Sequence, residues 1–164
     1  MQSLLPAAGI VAQRLVARKE TIAIAESSAG GMIAAALLSV PGASSYFLGA
    51  AVVYTADARR GLLGITPDDM QGMRPSSEPY ATLLANRIRE RLGATWGLSE
   101  TGATGPTGNR YGDAAGHACI GIAGPTQLAL TLETASSDRQ ANMRAFALKA
   151  LETLAVALEK AGSR

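Results

Sequence analysis

Thr21-Ile22-Ala23-Ile24-Ala25-Glu26-Ser27-Ser28-Ala29-Gly30-Gly31-Met32 passes from an apolar run, through a polar glycine-containing segment, into a second apolar stretch that continues to Val40. The first run has the length and composition of a buried strand, the Ser/Gly segment reads as a tight turn, and the second stretch reads as a helix. A buried strand feeding a helix is the building unit of a parallel sheet covered by helices. The turn also carries chemistry. Free backbone N–H groups at a helix start can hold an anion or an oxyanion, and the hydroxyls of Ser27 and Ser28 sit in the same turn.

Working outward, Leu4 to Lys19 has the pattern of an amphipathic helix, with Ile10, Leu15 and Val16 set against Gln13, Arg14 and Arg18. The first strand is expected over 21–26 and a buried helix over 29–40, stopped by Pro41-Gly42. A second strand is expected within Tyr46 to Tyr54. A short helix, Ala56 to Leu63, ends at Gly64, and a helical turn lies near Pro67-Asp68-Asp69. Ser77 reads as an N-cap with Glu78 and Pro79 in the first turn of a helix that ends at Gly93. Thr95 to Thr101 reads as a third strand, Gly102 to Gly112 as a long loop, and 115–134 as a hairpin turning at Gly124-Pro125. Asp138 caps a final helix to Lys160. The order αβαβααβββα predicts a three-layer α/β/α sandwich with a five-stranded mixed, mainly parallel sheet in a single domain over 1–164.

Composition narrows the function. The chain has 164 residues, 48% apolar and 17% charged, enough for a full core and too apolar for a disordered chain. A net charge of +2, without a basic cluster interleaved with aromatics, argues against nucleic acid. Residues 27–56 carry no charge, but Pro41, Gly42, Ser44 and Ser45 break the run below the ~20 apolar residues of a membrane span. No secretory signal is read at the N-terminus, so a cytoplasmic location is expected. Cys119 is the only cysteine and lies in an apolar run, which reads as an inert buried thiol. His117 is the only histidine. A zinc site is therefore not expected, and the glycine loops match neither a phosphate-binding Walker loop nor a dinucleotide fingerprint. No cofactor is anticipated.

In parallel sheets, sites form beyond the carboxyl ends of the strands. Strand one delivers Glu26, Ser27 and Ser28 there, strand two Tyr54 and Thr55 with Asp57 and Arg59 just beyond, and strand three Glu100, Thr101 and Gly102-Ala103-Thr104-Gly105. Each element also has an ordinary reading. Ser27 could be an N-cap, Gly30-Gly31 a packing device, Tyr54 a strand-end aromatic and Arg59 a solvated cation. Their convergence on one rim makes the functional case.

Residues 25–31 (Ala-Glu-Ser-Ser-Ala-Gly-Gly), 41–47 (Pro-Gly-Ala-Ser-Ser-Tyr-Phe), Tyr54, 77–79 (Ser-Glu-Pro) and 101–106 (Thr-Gly-Ala-Thr-Gly-Pro) stand in an order that resembles the C-terminal domain family of the competence/damage-inducible protein CinA. The family pattern is roughly A-E-S-C-T-G-G, P-G-S-S-x-x-F, Y-S-N-x-x-K, V-S-E and T-G-I-A-G-P, then G-D-R before the last helix. The likeness spans about residues 20–160. It implies nicotinamide-nucleotide amidase activity, in which nicotinamide mononucleotide (NMN) and water give nicotinate mononucleotide and ammonia.

The resemblance makes Ser27 the nucleophile and places Tyr54 and Thr101 in the catalytic site with Arg59. On the amidase reading Glu26, Gly30, Gly31, Gly102, Gly105 and Arg139 bind substrate, with backbone N–H groups near Gly30-Gly31 or Gly102–Gly105 holding the oxyanion and Arg139 and Arg59 steering the phosphate. Arg59 occupies the position of the family's general-base lysine. A desolvated lysine can take a proton from serine near neutral pH, whereas arginine stays protonated. Ser28-Ala29 and Gly116-His117 also depart from the pattern. Two main readings follow: an amidase with a recruited base, for which His117 or a Tyr54 relay stand as candidates, and an impaired member that binds a mononucleotide or a protein partner; a third, weaker one is an altered amidohydrolase with another substrate. The apolar segments 32–40 and 147–158 leave a homo-oligomer open.

Overall fold

A computed structural model describes residues 1–162. Helix α1 (Leu5–Arg18) precedes strand β1 (Ile22–Glu26), helix α2 (Met32–Leu38), strand β2 (Phe47–Val52) and helices α3 (Ala56–Leu63), α4 (Pro67–Met70) and α5 (Glu78–Leu92). Strands β3 (Trp96–Ala103), β4 (His117–Ala123) and β5 (Leu128–Glu133) follow, and helix α6 (Arg139–Ala161) closes the fold.

The five strands form one sheet in the order β2-β1-β3-β4-β5. The β1–β2 and β1–β3 pairs are parallel, while β3–β4 and β4–β5 are antiparallel. The sheet is thus mixed as expected. Four strands share one direction because β4 alone runs against the rest. Strands β1, β3 and β4 are buried along their lengths, whereas the edge strand β2 alternates. That is the pattern expected of central strands covered on both faces.

Two apolar layers separate on side-chain parity. Ile22, Ile24, Trp96 and Leu98 pack with residues of α1, α2 and α6, including Val11, Leu15, Ile33, Leu151 and Leu154. Ala23 and Ala25 face the other way, toward Leu63, Tyr80, Leu84 and Ile88 of α3 and α5. Alternate side chains of one strand therefore feed opposite layers, so Glu26 and Ser27 point to different sides. Helix α5 lies unusually close to the sheet. A Cβ on Gly97 would fall 2.0 Å from the Ala85 carbonyl oxygen, and one on Gly121 would fall 2.5 Å from that of Ala81. Ser99 Oγ exploits the contact by donating to the Ala81 carbonyl at 2.6 Å.

Most boundaries fall where composition placed them. Thr55 and Ser77 cap α3 and α5 through Ala58 N and Tyr80 N, and Asp138 caps α6 through Ala141 N. The third strand runs on to Ala103 because Gly102 and Ala103 stay paired with Ala118 and His117. The loop accordingly begins later than its glycines suggest. No helix among the described residues is long and apolar enough to cross a membrane.

Replacing Gly97 by alanine should push α5 off the sheet and cost about 1–3 kcal/mol or more. Urea unfolding of the variant, with the midpoint and slope compared to the parent chain, measures this directly.

Candidate functional site

The carboxyl ends of β1, β2 and β3 surround a cavity of about 670 Å³ on the α5 side of the sheet. Ser27, Tyr54, Arg59, Thr101 and Gly102 line it together. Arg139 meets this group from α6, donating from Nη1 to the Gly105 carbonyl at 2.8 Å and from Nη2 to the Tyr54 hydroxyl at 3.3 Å. Arg139 thereby ties the second glycine loop to the strand-two tyrosine. Asn142, one helical turn later and buried, donates to the Thr104 carbonyl at 2.9 Å and the Ser136 carbonyl at 2.7 Å. Its role was not read from the sequence; an asparagine in the first turn of a helix that follows two site loops is the signal that could have found it.

The anion site at the start of α2 is already filled by the chain itself. Glu26, expected at the substrate, is fully buried beneath the turn. Its carboxylate accepts the amides of Gly31 (2.9 Å), Ile33 (3.1 Å) and Ala34 (2.8 Å). Gly30 N–H is also engaged, donating to the Ser27 carbonyl at 3.2 Å. The assignment of Glu26 to substrate, and of the Gly30 and Gly31 amides to the oxyanion, is therefore corrected. Parity turns Glu26 into the α2 layer, where its negative charge meets the positive end of the helix. The two glycines serve the turn through left-handed φ angles of 67° and 96°. Gly105 likewise lies behind the cavity wall, as the acceptor for Arg139.

A second buried carboxylate completes the turn. Glu100 Oε2 accepts the amides of Ser27 at 3.2 Å and Ala29 at 2.7 Å, and Oε1 accepts the Ser28 hydroxyl. Burial pushes Glu100 up to about 7 against the pull of these donors, and the neighbouring Glu26 carboxylate adds to the rise. Burial also raises Glu26, partly offset by the amides of Ala34, Ile33 and Gly31.

Arg59 forms one wall. Its guanidinium carbon lies 5.6 Å from the Tyr80 ring centroid, and its Nε is buried without a hydrogen-bond partner. A buried donor left free invites an acceptor from a ligand. Asn109, Arg110 and Tyr111 also line the cavity, with Arg110 over the Tyr111 ring at 5.1 Å. This loop is anchored by Asp113, which accepts Asn109 Nδ2 at 2.8 Å and takes both Nη atoms of Arg74 at 2.6 and 2.9 Å. Tyr80, Arg110 and Tyr111 were not singled out from sequence. Only the length of their loop and the position of Tyr80 next to Ser77-Glu78-Pro79 hinted at them.

His117 does not reach the cavity. Its Nδ1 meets Glu133 Oε1, and its Nε2 donates to the Ser76 carbonyl at 2.9 Å. Burial pulls its pKa down, but Glu133, Ser76 and Asp113 together raise it above the ordinary value. With both ring nitrogens engaged and no part in the cavity lining, His117 is not placed to take the Ser27 proton. Cys119 is buried, and burial pushes its thiol up, which fits an inert role. Among the described residues no group of three or more His, Cys, Asp or Glu side chains could hold a metal ion.

The raised pKa of Glu100 has a direct consequence for stability. Because the folded chain holds this proton up to about 7 and an ordinary carboxyl releases it near 4.5, the neutral side chain favours folding most at low pH. That contribution is lost as pH rises through 4.5 to 7. Glu100→Gln should therefore match the parent at pH ~5 and exceed it by up to about 3 kcal/mol at pH ~8, as read from denaturant unfolding at the two pH values.

Comparison with known proteins agrees with the fold and the order of these elements. A CinA-like protein of Desulfosudis oleivorans is 40% identical over 145 residues, covering 88% of this chain and 35% of that protein. One from Gloeobacter violaceus is 43% identical over 111 residues, covering 68% of this chain and 26% of that protein. The chain thus spans about a third or less of these relatives. The competence/damage-inducible protein of Agrobacterium tumefaciens superposes with a TM-score of 0.87 at 25% identity, covering 95% of both chains. A CinA superfamily protein of Klebsiella pneumoniae superposes at 0.89 and 22% identity, over 96% of this chain and 98% of that one. The CinA C-terminal domain model matches residues 5–158, and the chain belongs to that family.

Proposed function

We propose that the chain is a serine amidohydrolase that cleaves the carboxamide of NMN, giving nicotinate mononucleotide and ammonia, and that its chemical step is slow. The observation that carries this reading is the meeting of Ser27, Tyr54, Arg59 and Thr101 around one cavity. Ser27 Oγ attacks the carboxamide carbon and ammonia leaves from the resulting tetrahedral adduct, so an acyl-serine forms and water then hydrolyses it. With the Gly31, Ile33 and Ala34 amides engaged by Glu26, Arg59, whose buried Nε–H is free, is a donor for the developing oxyanion. The cavity carries two arginines and no carboxylate, with Tyr54, Tyr80 and Tyr111 around it. That lining suits a flat heteroaromatic ligand bearing an anionic group. The ligand called for is a mononucleotide rather than a nucleic acid, and the reaction as written needs no cofactor.

A second reading rests on the same wall. Among the described residues no histidine, lysine, aspartate or glutamate lines the cavity, so no side chain in that lining is suited to take the serine proton near neutral pH. A family member in this state binds the mononucleotide without turning it over.

Ammonia release from NMN separates the two. The amidase reading expects turnover abolished by Ser27→Ala, and a rise of about 10²–10⁴-fold in kcat on Arg59→Lys, which supplies an amine able to act as base. Calorimetric binding of NMN with no ammonia released by the parent chain would favour the binder.

A further inference from the structure

Glu100 is the fully buried carboxylate whose hydrogen bonds all go to the turn that carries the nucleophile. One oxygen takes the amides on either side of Ser28, and the other takes the Ser28 hydroxyl. The charged side chain it faces is Glu26 on β1, and its hydrogen-bond partners are dipoles of the turn. Burying a carboxyl beside a second one is costly for a fold that needs only stability. An apolar side chain at this position of β3 would join Trp96 and Leu98 in the same layer, but would leave two amides and a hydroxyl without acceptors. The turn therefore depends on this group for its shape, while Ser27 itself faces the opposite side and the cavity.

We propose that Glu100 is a positioning residue for Ser27. By taking the Ser27 and Ala29 amides and the Ser28 hydroxyl together, its carboxylate holds the turn in the conformation that presents the Ser27 hydroxyl to substrate, and protonation loosens that hold. The inference rests on Ser27 being the nucleophile, and so on the amidase reading, but the geometry it describes belongs to the free protein. A charge-assisted hydrogen bond is roughly twice as strong as a neutral one. The protonated acid keeps one acceptor oxygen for the amides and turns its other oxygen into a donor toward Ser28, whose hydroxyl can rotate to accept. The turn persists but is less firmly set. Glutamine reproduces this protonated state at the same size, with its amide oxygen toward the two N–H groups and its NH₂ toward Ser28.

The test begins on the unaltered chain, so it does not depend on any variant folding. Amide resonances of Ser27 and Ala29, followed by NMR from pH ~5 to ~9, should move together through a single step with a midpoint near 7. The step should vanish in Glu100→Gln and persist in Glu26→Gln with its midpoint lowered, because a neighbouring negative charge has been removed. With NMN as substrate, kcat of the parent should fall as pH drops through the same midpoint. Glu100→Gln should show no such limb between pH ~6 and ~8, with kcat reduced about fivefold at pH ~8 and KM unchanged. Amides that do not titrate in this range, a step that survives in Glu100→Gln, or a step that disappears in Glu26→Gln alone would each overturn the proposal. Absence of ammonia release with the amide step intact would defeat only the amidase reading. Release of ammonia with silent amides would defeat only the role of Glu100.

Discussion

Two buried carboxylates on the adjacent strands β1 and β3 organise the centre of this molecule. Glu26 occupies the positive end of α2, and Glu100 collects the polar groups of the turn that joins β1 to that helix. Between them they take the amides of Ser27, Ala29, Gly31, Ile33 and Ala34 and the Ser28 hydroxyl. A tight turn feeding a buried helix leaves several N–H groups that have no partner within the helix. Here the acceptors are side chains from β1 and β3 rather than water or ligand. The arrangement shapes the β1–α2 turn from behind and leaves the cavity face to Ser27.

That division of labour follows from sheet parity. Successive residues on β1 face opposite layers, so the carboxylate of Glu26 goes to the helix side and the next residue to the cavity side. On β3 the same alternation sends Glu100 beneath the turn and Thr101 to the cavity wall. The functional rim is thus two-faced, with acid on one side of the sheet and hydroxyl, phenol and guanidinium groups on the other. The close seat of α5, made possible by Gly97 and Gly121, brings Tyr80 up to the cavity, where Arg59 lies over its ring. The α6 N-terminal turn, through Arg139 and Asn142, fixes the second glycine loop. Stability and function also pull against each other at Glu100, since the ionised form that grips the turn best is the one the buried site tolerates least.

Most of the architecture was legible in the chain itself. Thr55, Ser77 and Asp138 are helix caps by their side-chain chemistry, and each caps the helix that begins after it. Alternating strand and helix signals before residue 95, and a hairpin after it, were enough to imply a mixed sheet between helical layers. The shared rim of Ser27, Tyr54, Arg59 and Thr101 also followed, since parallel strands end on the same side. What escaped was the occupancy of that rim. A glutamate at a strand end and a glycine turn look alike in sequence whether the turn awaits a ligand or is already filled by that glutamate.

Local chemistry by itself determined the order of elements, their caps and the set of strand ends where chemistry could gather, because propensity, capping and hydrophobic period act over a few neighbouring residues. Only the tertiary structure decided which acceptor meets which donor. It placed Glu100 under a turn 73 residues earlier in the chain, through its bond to Ser27 N–H. It tied His117 to Glu133 and to the Ser76 carbonyl, outside the cavity lining, and it brought Asn109, Arg110 and Tyr111 from a long loop into the same lining as Arg59. These pairings depend on strand register and on which face of the sheet each side chain takes. No stretch of sequence carries that information until the strands are laid side by side.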